Sequence, residues 1–182
     1  WVVKGSDVKA VIKNFDAADL SIDFGTGLIT VAADLFMANK KNKVRGTRRA
    51  DELFGTDGRD VIVGKSGDDV ITSYGGKDKV KGGRGDDIIT TGEGKDKAWG
   101  GAGSDLFVTE NGGKGYVKVM DFEAVDKIKF CGCVNTVLEQ RGDDVWVVKG
   151  SDVKAVIKNF DAADLSIDFG TGLITVAADL LA

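Results

Sequence analysis

The sequence contains no histidine and no proline, and only two of its 182 residues are cysteine. Without histidine, the chain lacks the commonest general base, the usual zinc ligand and the base of Ser-His and Cys-His nucleophile pairs. The two cysteines, Cys131 and Cys133, are too few for a disulfide framework or a four-ligand metal site, so we expect them to pack as ordinary strand residues. Since no set of nucleophile, base and acid can be assembled, we predict that the protein is not an enzyme.

Long apolar runs are also missing from the sequence. No stretch approaches the roughly 18 apolar residues that a membrane-spanning helix needs, so we expect no transmembrane segment. The first residues do not resemble the basic and apolar parts of a cleavable signal peptide. For an exported protein, this predicts a route that does not use such a leader.

Glycine and aspartate are what the sequence has in abundance. There are 26 glycines, and the formal net charge of −4 hides a cluster of aspartates beside glycines in the middle of the chain. Without proline and with 30% charged residues, the composition is unlike that of collagen or of a proline-rich disordered tract. It favours a turn-dense β protein whose carboxylates attract hard cations.

From Gly55 to Val108 the sequence divides without a gap into six consecutive nine-residue repeats. They read GTDGRDVIV, GKSGDDVIT, SYGGKDKVK, GGRGDDIIT, TGEGKDKAW and GGAGSDLFV. Glycine fills the fourth place every time, at Gly58, Gly67, Gly76, Gly85, Gly94 and Gly103. Aspartate fills the sixth place every time, at Asp60, Asp69, Asp78, Asp87, Asp96 and Asp105. Two such columns predict a solenoid in which each column has one structural role.

The eighth place of each repeat is apolar, and we expect it to face the interior from a short strand. These residues are Ile62, Ile71, Val80, Ile89, Ala98 and Phe107. Glycine suits turns with positive φ and closely stacked coils, whereas aspartate supplies an oxygen ligand at the entrance of a strand. Both residues also suit exposed turns without a metal, but stacked carboxylates along a solenoid repel one another unless cations are bound.

The array resembles the RTX (repeats-in-toxin, hemolysin-type) family, whose nonapeptide is G-G-x-G-x-D-x-U-x. The resemblance implies an all-β fold, a parallel β-roll in which two nonapeptides complete one coil and Ca²⁺ lies between equivalent turns. It then implies that Asp60, Asp78 and Asp96 line one edge of the roll, and that Asp69, Asp87 and Asp105 line the other. Carbonyls of the glycine turns would complete the six or more oxygens that Ca²⁺ prefers, in a cage too flexible for Mg²⁺.

Some positions depart from the family pattern. Ser73 and Tyr74 replace the leading glycines of the third repeat, and Thr91 replaces that of the fifth, where Ala98 also shrinks the core. We expect the affected coils to bind calcium more weakly. Other aspartates in the same turns are either solvated charges or additional ligands, namely Asp57, Asp68 and Asp86.

The flanks predict two further regions around a β-roll at residues 54–108. Residues 36–53 are rich in lysine and arginine, and no aromatic residue lies between Phe36 and Leu53, which favours a basic linker over a nucleic-acid-binding segment. Residues 109–182 contain apolar alternation and a segment, Asp121 to Phe130, similar to one that follows RTX repeats. We predict a β-rich cap there. Its end, 173–182, resembles the uncleaved signal of type I secretion, although an ordinary final strand fits as well.

Residues 1–35 recur letter for letter as residues 146–180. The sequence from Met37 onward reads like the start of an independent protein, so we expect 37–182 to be one natural unit. The leading copy is then the tail of a preceding tandem unit, an engineered fusion or a segment of a neighbour. Each origin invites the hypothesis that the tail of one unit docks on the start of the next. A duplication without any role in assembly is the alternative.

Together these patterns predict a secreted calcium-binding protein that folds on meeting extracellular Ca²⁺ and builds a filament, surface layer or matrix. The partners expected are further copies of itself, and an extracellular polysaccharide or the cell surface, with no nucleic acid. The alternative is a calcium-dependent accessory or targeting module of a secreted enzyme or adhesin.

Overall fold

We describe the protein from a computed structural model. It describes residues 41–109, 115–130 and 135–177, and the backbone of four short strands within residues 1–40. The chain divides into two compact units, Trp1–Asn39 and Lys40–Ala182, and each is described by itself. Cys131, Cys133 and the last five residues of the predicted secretion signal lie outside the described residues.

The first unit contains two antiparallel hairpins. Their strands are β1 (Val2–Lys4), β2 (Asp7–Ala10), β3 (Leu20–Asp23) and β4 (Leu28–Val31). Each hairpin forms a separate two-stranded sheet, β1 with β2 and β3 with β4.

The second unit is built from two larger sheets whose strands alternate along the chain. The strands of the first sheet are β6 (Glu52–Phe54), β8 (Val70–Thr72), β10 (Ile88–Thr90), β12 (Leu106–Val108), β14 (Lys127–Lys129), β18 (Leu165–Asp168) and β19 (Leu173–Val176). Those of the second sheet are β5 (Asn42–Arg45), β7 (Asp60–Ser66), β9 (Lys79–Arg84), β11 (Gly94–Ala102), β13 (Gly115–Val119), β15 (Thr136–Arg141), β16 (Asp144–Lys149) and β17 (Asp152–Ile157). A single 3₁₀ turn, Ala162–Asp164, precedes β18.

The repeats wind into a parallel β-roll, as the sequence predicts. Successive repeats enter opposite sheets, so a strand pairs with the strand two repeats later, for example Ile71 of β8 with Ile89 of β10. In the other sheet, Ile62 of β7 pairs with Val80 of β9. The protein is therefore an all-β parallel solenoid, with one nonapeptide in each half-coil.

The eighth place of each repeat faces the interior, which confirms the predicted core. Five of these side chains are completely buried and Phe107 is 1% exposed. The same interior column is extended by Val119 and Ile128, both fully buried. Each coil contributes only a pair of such side chains, so the roll has a thin core whose layers must be held together by contacts between coils.

The roll begins earlier and ends later than the six repeats. Residues 42–54, most of which the sequence analysis assigns to a basic linker, form β5 and β6 and pair in parallel with β7 and β8. At the other end, β13 and β14 pair in parallel with β11 and β12, at a separation of 21 residues instead of 18. This last coil contains three additional residues. Its strands still pair in parallel, but the residues that face the preceding coil are not all of the types that the repeat pattern would place there.

Beyond the last coil the pairing changes from parallel to antiparallel. β17 joins β13 in parallel and is followed outward by antiparallel β16 and β15, while β19 and β18 continue the other sheet in antiparallel fashion. Phe122 and Phe160 pack edge to face at this end, with ring centroids 5.4 Å apart. The strands 136–176 thus cover the end of the roll.

The duplicated segment forms the same hairpins in both copies. In the first unit Val3 pairs with Val8 and Ile22 with Ile29. In the second unit the equivalent residues pair identically, Val148 with Val153 and Ile167 with Ile174. The hairpins are therefore a local property of this sequence. Within the described parts of the chain, no helix has the length and apolar character needed to cross a membrane.

Candidate metal centre

The aspartates at the sixth place form two hydrogen-bonded columns, one along each edge of the roll. The backbone N–H of each donates to the Oδ1 atom of the aspartate in the next coil. One column joins Asp60 to Asp78 and Asp78 to Asp96, each at 2.8 Å. The other joins Asp69 to Asp87 at 2.8 Å and Asp87 to Asp105 at 2.9 Å. One carboxylate oxygen of each acceptor is thereby fixed by the backbone of its neighbour.

The second carboxylate oxygen, Oδ2, is the unusual feature of these columns. The side chains are at most 1% exposed, yet five Oδ2 atoms are buried without any hydrogen-bond partner. They belong to Asp69, Asp78, Asp87, Asp96 and Asp105. A buried ionised oxygen without a partner is strongly unfavourable, so the fold requires either a proton or a cation at each of these atoms.

Glycine at the first place of a repeat creates the space beside Oδ2. A Cβ atom on Gly64 would lie 2.1 Å from Asp69 Oδ2 and 2.6 Å from the carbonyl oxygen of Gly82. A Cβ atom on Gly82 would lie 2.1 Å from Asp87 Oδ2 and 2.8 Å from the carbonyl oxygen of Gly100. A carboxylate oxygen and a carbonyl oxygen of the next coil therefore face one small space, which any larger residue would fill.

Glycine at the fourth place has a different role, which is to form the turn. Gly94 has a φ of +130°, and a Cβ atom there would lie 1.8 Å from the carbonyl oxygen of Gly76 in the preceding coil. Five of the six fourth-place glycines have positive φ, and Gly58 is the exception. These glycines bring the sixth-place aspartates of adjacent coils into register.

Two aspartates near the start of the roll have partners for Oδ2. Asp60 Oδ2 accepts hydrogen bonds from the backbone N–H of Thr56 at 2.6 Å and from its hydroxyl at 3.1 Å. Asp51 Oδ2 accepts equivalent bonds from Thr47, at 2.6 Å and 2.9 Å. In both cases threonine occupies the second place of the repeat, so these carboxylates are satisfied without a cation.

Burial raises the pKa of the unsatisfied carboxyls above the ordinary value of 3.8. The pKa rises to about 6 for Asp78 and Asp87, and to about 7 for Asp96 and Asp105. Loss of hydration is the largest cause in each case, and the N–H donor from the neighbouring coil opposes it. The pKa of Asp69 is raised for the same reason. Near neutral pH the columns are thus close to taking up protons, and a cation would replace those protons.

The sequence analysis missed the residues that extend one column at both ends. The N–H of Asp51 donates to Asp69 Oδ1 at 2.8 Å, and the N–H of Asp105 donates to Asp126 Oδ1 at 2.9 Å. Burial raises the pKa of Asp126 as well. Asp51 lies in the degenerate repeat GTRRADELF, whose first, sixth and eighth places are retained. These retained places are a signal by which the repeat could have been found from the sequence. The three additional residues before Asp126 break the nine-residue spacing, so Asp126 has no such signal.

The second column ends differently. The residue paired with Asp96 in the last coil is Val117, so the additional three residues replace the expected carboxylate by an apolar side chain. Ser73 and Thr91, which depart from the family pattern, are both buried, and the Ser73 hydroxyl donates to the carbonyl oxygen of Thr91 at 2.8 Å. The Ser73 hydroxyl therefore adds a bond between two coils whose repeats lack the first-place glycine.

The donor set fits calcium better than a transition metal. Among residues 41–109, 115–130 and 135–177, no three acidic or cysteine side chains converge on one point. A cation here would instead be held by single carboxylates with backbone carbonyl oxygens, an all-oxygen set in flexible turns that suits Ca²⁺. The residues that fit are the five aspartates with unsatisfied Oδ2 atoms. First-place glycines lie beside three of them, Asp69, Asp87 and Asp105.

The fold and these columns define a calcium-dependent β-roll repeat. The family model for the RTX calcium-binding nonapeptide repeat matches the chain in four copies, over residues 45–80, 54–89 and 72–107. Residues 45–107 are thus RTX repeats, and their cofactor is Ca²⁺.

One solved structure that the chain is similar to is the AlgE6R3 subunit of the mannuronan C5-epimerase from Azotobacter vinelandii. The two are 24% identical, with a TM-score of 0.29, and the match covers 66% of this chain and 77% of that one. Comparison with curated proteins finds no match.

Proposed function

We propose that this protein is a secreted, non-catalytic building block that folds when it meets extracellular calcium and then assembles head to tail into a filament, surface layer or matrix. The main support for calcium-coupled folding is the set of five buried, unsatisfied carboxylate oxygens. When bound, calcium supplies positive charge that neutralises and bridges these oxygens between coils.

Calcium-coupled folding suits a protein that must leave the cell. At low calcium the ionised aspartate columns oppose the stacking of coils, and the thin core gives little compensation. At high extracellular calcium, each bound ion favours the folded state by mass action, about 2.7 kcal/mol per site when calcium is 100 times the dissociation constant. The same chain is then unfolded for export and rigid after it.

Open strand edges at the start of the roll support the proposed head-to-tail assembly. The N–H groups of Asn42 and Gly46 in the first coil donate to Arg59 and Val63, so those of the alternate residues Lys43 and Arg45 point away from the sheet. The N–H of Lys43 donates to the side chain of Asn42, so Arg45 is the residue of this strand whose outward N–H supports strand addition. In the other sheet Gly55 donates to β8, so the N–H groups of Glu52 and Phe54 point outward as well. Such edges accept further strands readily.

The duplicated hairpins offer suitable strands. In the second unit, β17 and β19 of this same sequence add directly to the last coil of the roll. The opposite edges of that terminal layer, β15 and β18, are the ends of the two sheets. We propose that these edges pair with β5 and β6 of the next copy, so that the two sheets continue from one copy to the next by strand addition.

The test uses the full chain in calcium and a pair of matched variants. Glu52→Pro removes one outward N–H and leaves the ladder to β8 intact, whereas Glu52→Gln removes the charge but keeps that N–H. Light scattering and electron microscopy should show calcium-dependent polymers for the parent and Glu52→Gln, and far fewer for Glu52→Pro, with unchanged circular dichroism. A chain that stays monomeric in calcium would instead support the accessory-module function.

A further inference from the structure

Positive charge in the roll is sorted onto one of its two outer faces. The outer surface of β5, β7, β9 and β11, which we call the basic face, carries only cations among its charged side chains at the fifth, seventh and ninth places. They are Lys41, Lys43, Arg45, Arg59, Lys77, Lys79, Lys81, Lys95 and Lys97, and all are exposed. Six of the nine belong to the odd-numbered repeats, and Lys41, Lys43 and Arg45 precede the array.

The cations stand in rows because the coils stack in register. The fifth-place row is unbroken: Lys41, Arg59 and Lys77 lie just before β5, β7 and β9, and Lys95 is the second residue of β11. Neighbouring strands are about 4.8 Å apart, so like charges lie directly beside one another along the axis of the roll. A groove with a volume of about 280 Å³ follows this row and is also lined by Lys79 and Lys97.

The other outer face provides an internal comparison. At the seventh place its strands carry Val70, Ile88 and Leu106, where the basic face carries Val61, Lys79 and Lys97. The same place of the repeat is apolar on one face and mostly lysine on the other, so the coil does not require lysine at this place. Like charges opposite one another in a sheet are destabilising, and no ion pair offsets them among the described residues of the basic face.

We infer that the basic face binds a linear acidic polysaccharide. The anionic groups of an extended polyuronate chain, laid along the axis of the roll, would neutralise the rows of cations that the protein leaves unpaired. The spacing of the strands, about 4.8 Å, is close to the length of one sugar unit in such a chain. Ammonium and guanidinium groups on exposed stems can adjust to carboxylates without a deep pocket.

Nucleic acid fits this face less well because the nearby aromatic rings are already occupied. Lys81 lies over the ring of Trp99, with Nζ 5.2 Å from the centroid, and Lys95 lies over Tyr116 at 5.8 Å. Single-stranded nucleic acid gains much of its affinity by stacking bases on free aromatic rings. A flat sheet also has no element that enters a groove of the duplex. The inference needs the folded roll, but it does not need head-to-tail assembly.

The test measures binding of the full chain, in calcium, to short oligogalacturonates by calorimetry, with neutral cello-oligosaccharides of equal length as the comparison. Lys79→Gln/Lys97→Gln removes the centre of the basic face. Arg48→Gln/Lys127→Gln removes the same charge from a turn and from the other sheet. We expect the first variant to bind roughly ten- to thirtyfold more weakly, at about 1 kcal/mol per cation, and the second to bind like the parent.

Neither variant should melt below the parent in calcium, because the substituted side chains are exposed and Lys79→Gln/Lys97→Gln also removes two like charges that lie opposite one another. Absence of oligogalacturonate binding at low salt would overturn the inference, as would equal losses in the two variants. Tighter binding of oligo(dT) or of phosphatidylserine vesicles would also overturn it and would assign the face to nucleic acid or to membranes. Since neither variant alters the edges of β5 or β6, failure here is distinct from failure of assembly.

Discussion

The first two aspartates of the roll, Asp51 and Asp60, differ from the five that follow in how their carboxylates are satisfied. At Asp51 and Asp60, a threonine at the second place donates its N–H and its hydroxyl to Oδ2. At Asp69 and the four sixth-place aspartates that follow, Oδ2 is buried without a partner. The difference indicates that, in the same repeat architecture, the buried Oδ2 atom can be satisfied either by a protein donor or by an ion. At the start of the roll these oxygens are satisfied by protein donors, and we expect the remaining ones to be satisfied by calcium.

Removal of calcium should have the largest effect on this contrast. In excess EGTA we expect the β signal in circular dichroism to fall and thermal unfolding of the roll to lose its cooperative transition, because five buried carboxylates are left unneutralised. Added Ca²⁺ should restore both, whereas Mg²⁺ at the same concentration should not. An identical spectrum and melting temperature with and without EGTA would disprove calcium-dependent folding.

Substitution of single aspartates should have the next largest effect. It should distinguish the carboxylates whose Oδ2 has a protein donor from those whose Oδ2 has none. Asp96→Asn keeps an acceptor for the N–H of Asp78 but removes a calcium ligand, so we expect a loss of about 3 kcal/mol of stability in calcium. In chelator the sign should reverse, because the variant no longer buries an unpaired charge.

Asp60→Asn is the matched comparison. It places an amide against the N–H and hydroxyl donors of Thr56, so we expect a loss of about 1–3 kcal/mol both with and without calcium. Chemical denaturation of both variants in the two conditions gives the four free energies of unfolding. The contrast between the classes fails if Asp96→Asn is destabilised as much in chelator as in calcium.

Acidification should act on the metal-free protein in the direction opposite to ordinary acid unfolding. The folded pKa values of about 6 for Asp87 and about 7 for Asp96 and Asp105 exceed the unfolded value of 3.8. The folded state therefore binds more protons in this interval, and its stability rises as pH falls from about 7 toward 4 and is lost as pH rises through the folded pKa values.

Circular dichroism of protein that has been decalcified by dialysis, recorded from pH 8 to pH 4.5, measures this dependence. An Asp96→Asn/Asp105→Asn double variant should show a weaker dependence on pH, because two of the titrating groups are gone. A β signal that only decreases on acidification would contradict the account of the buried carboxyls.

The smallest effect is expected at Thr56, the threonine that donates to Asp60. Thr56→Val removes the hydroxyl donor of Asp60 but retains the backbone N–H, which predicts a loss of about 1 kcal/mol with or without calcium. Thr90→Val is the control, since Thr90 occupies a half-buried place on a strand without a carboxylate partner among the described contacts. Equal melting temperatures for the two variants would show that the hydroxyl contributes nothing.

Several parts of the fold and site could be predicted from the sequence because they repeat at a fixed interval. The eighth-place residues form the core, and the fourth-place glycines form the turns. The sequence analysis did not identify Asp51 or Asp126 as members of a column, because one lies in a degenerate repeat and the other follows three additional residues. It also assigned 36–53 to a linker, although β5 and β6 begin the roll there.

The nonapeptide pattern by itself determined the winding of this chain, since it returns glycine, aspartate and an apolar residue to the same places every nine residues. The hairpins of the duplicated segment are equally local, and form alike in both copies. Only the tertiary structure decided which carboxylate oxygens lack a partner and which face of the roll collects the cations. Those properties depend on groups that lie 18 or 21 residues apart and meet only when one coil stacks on the next.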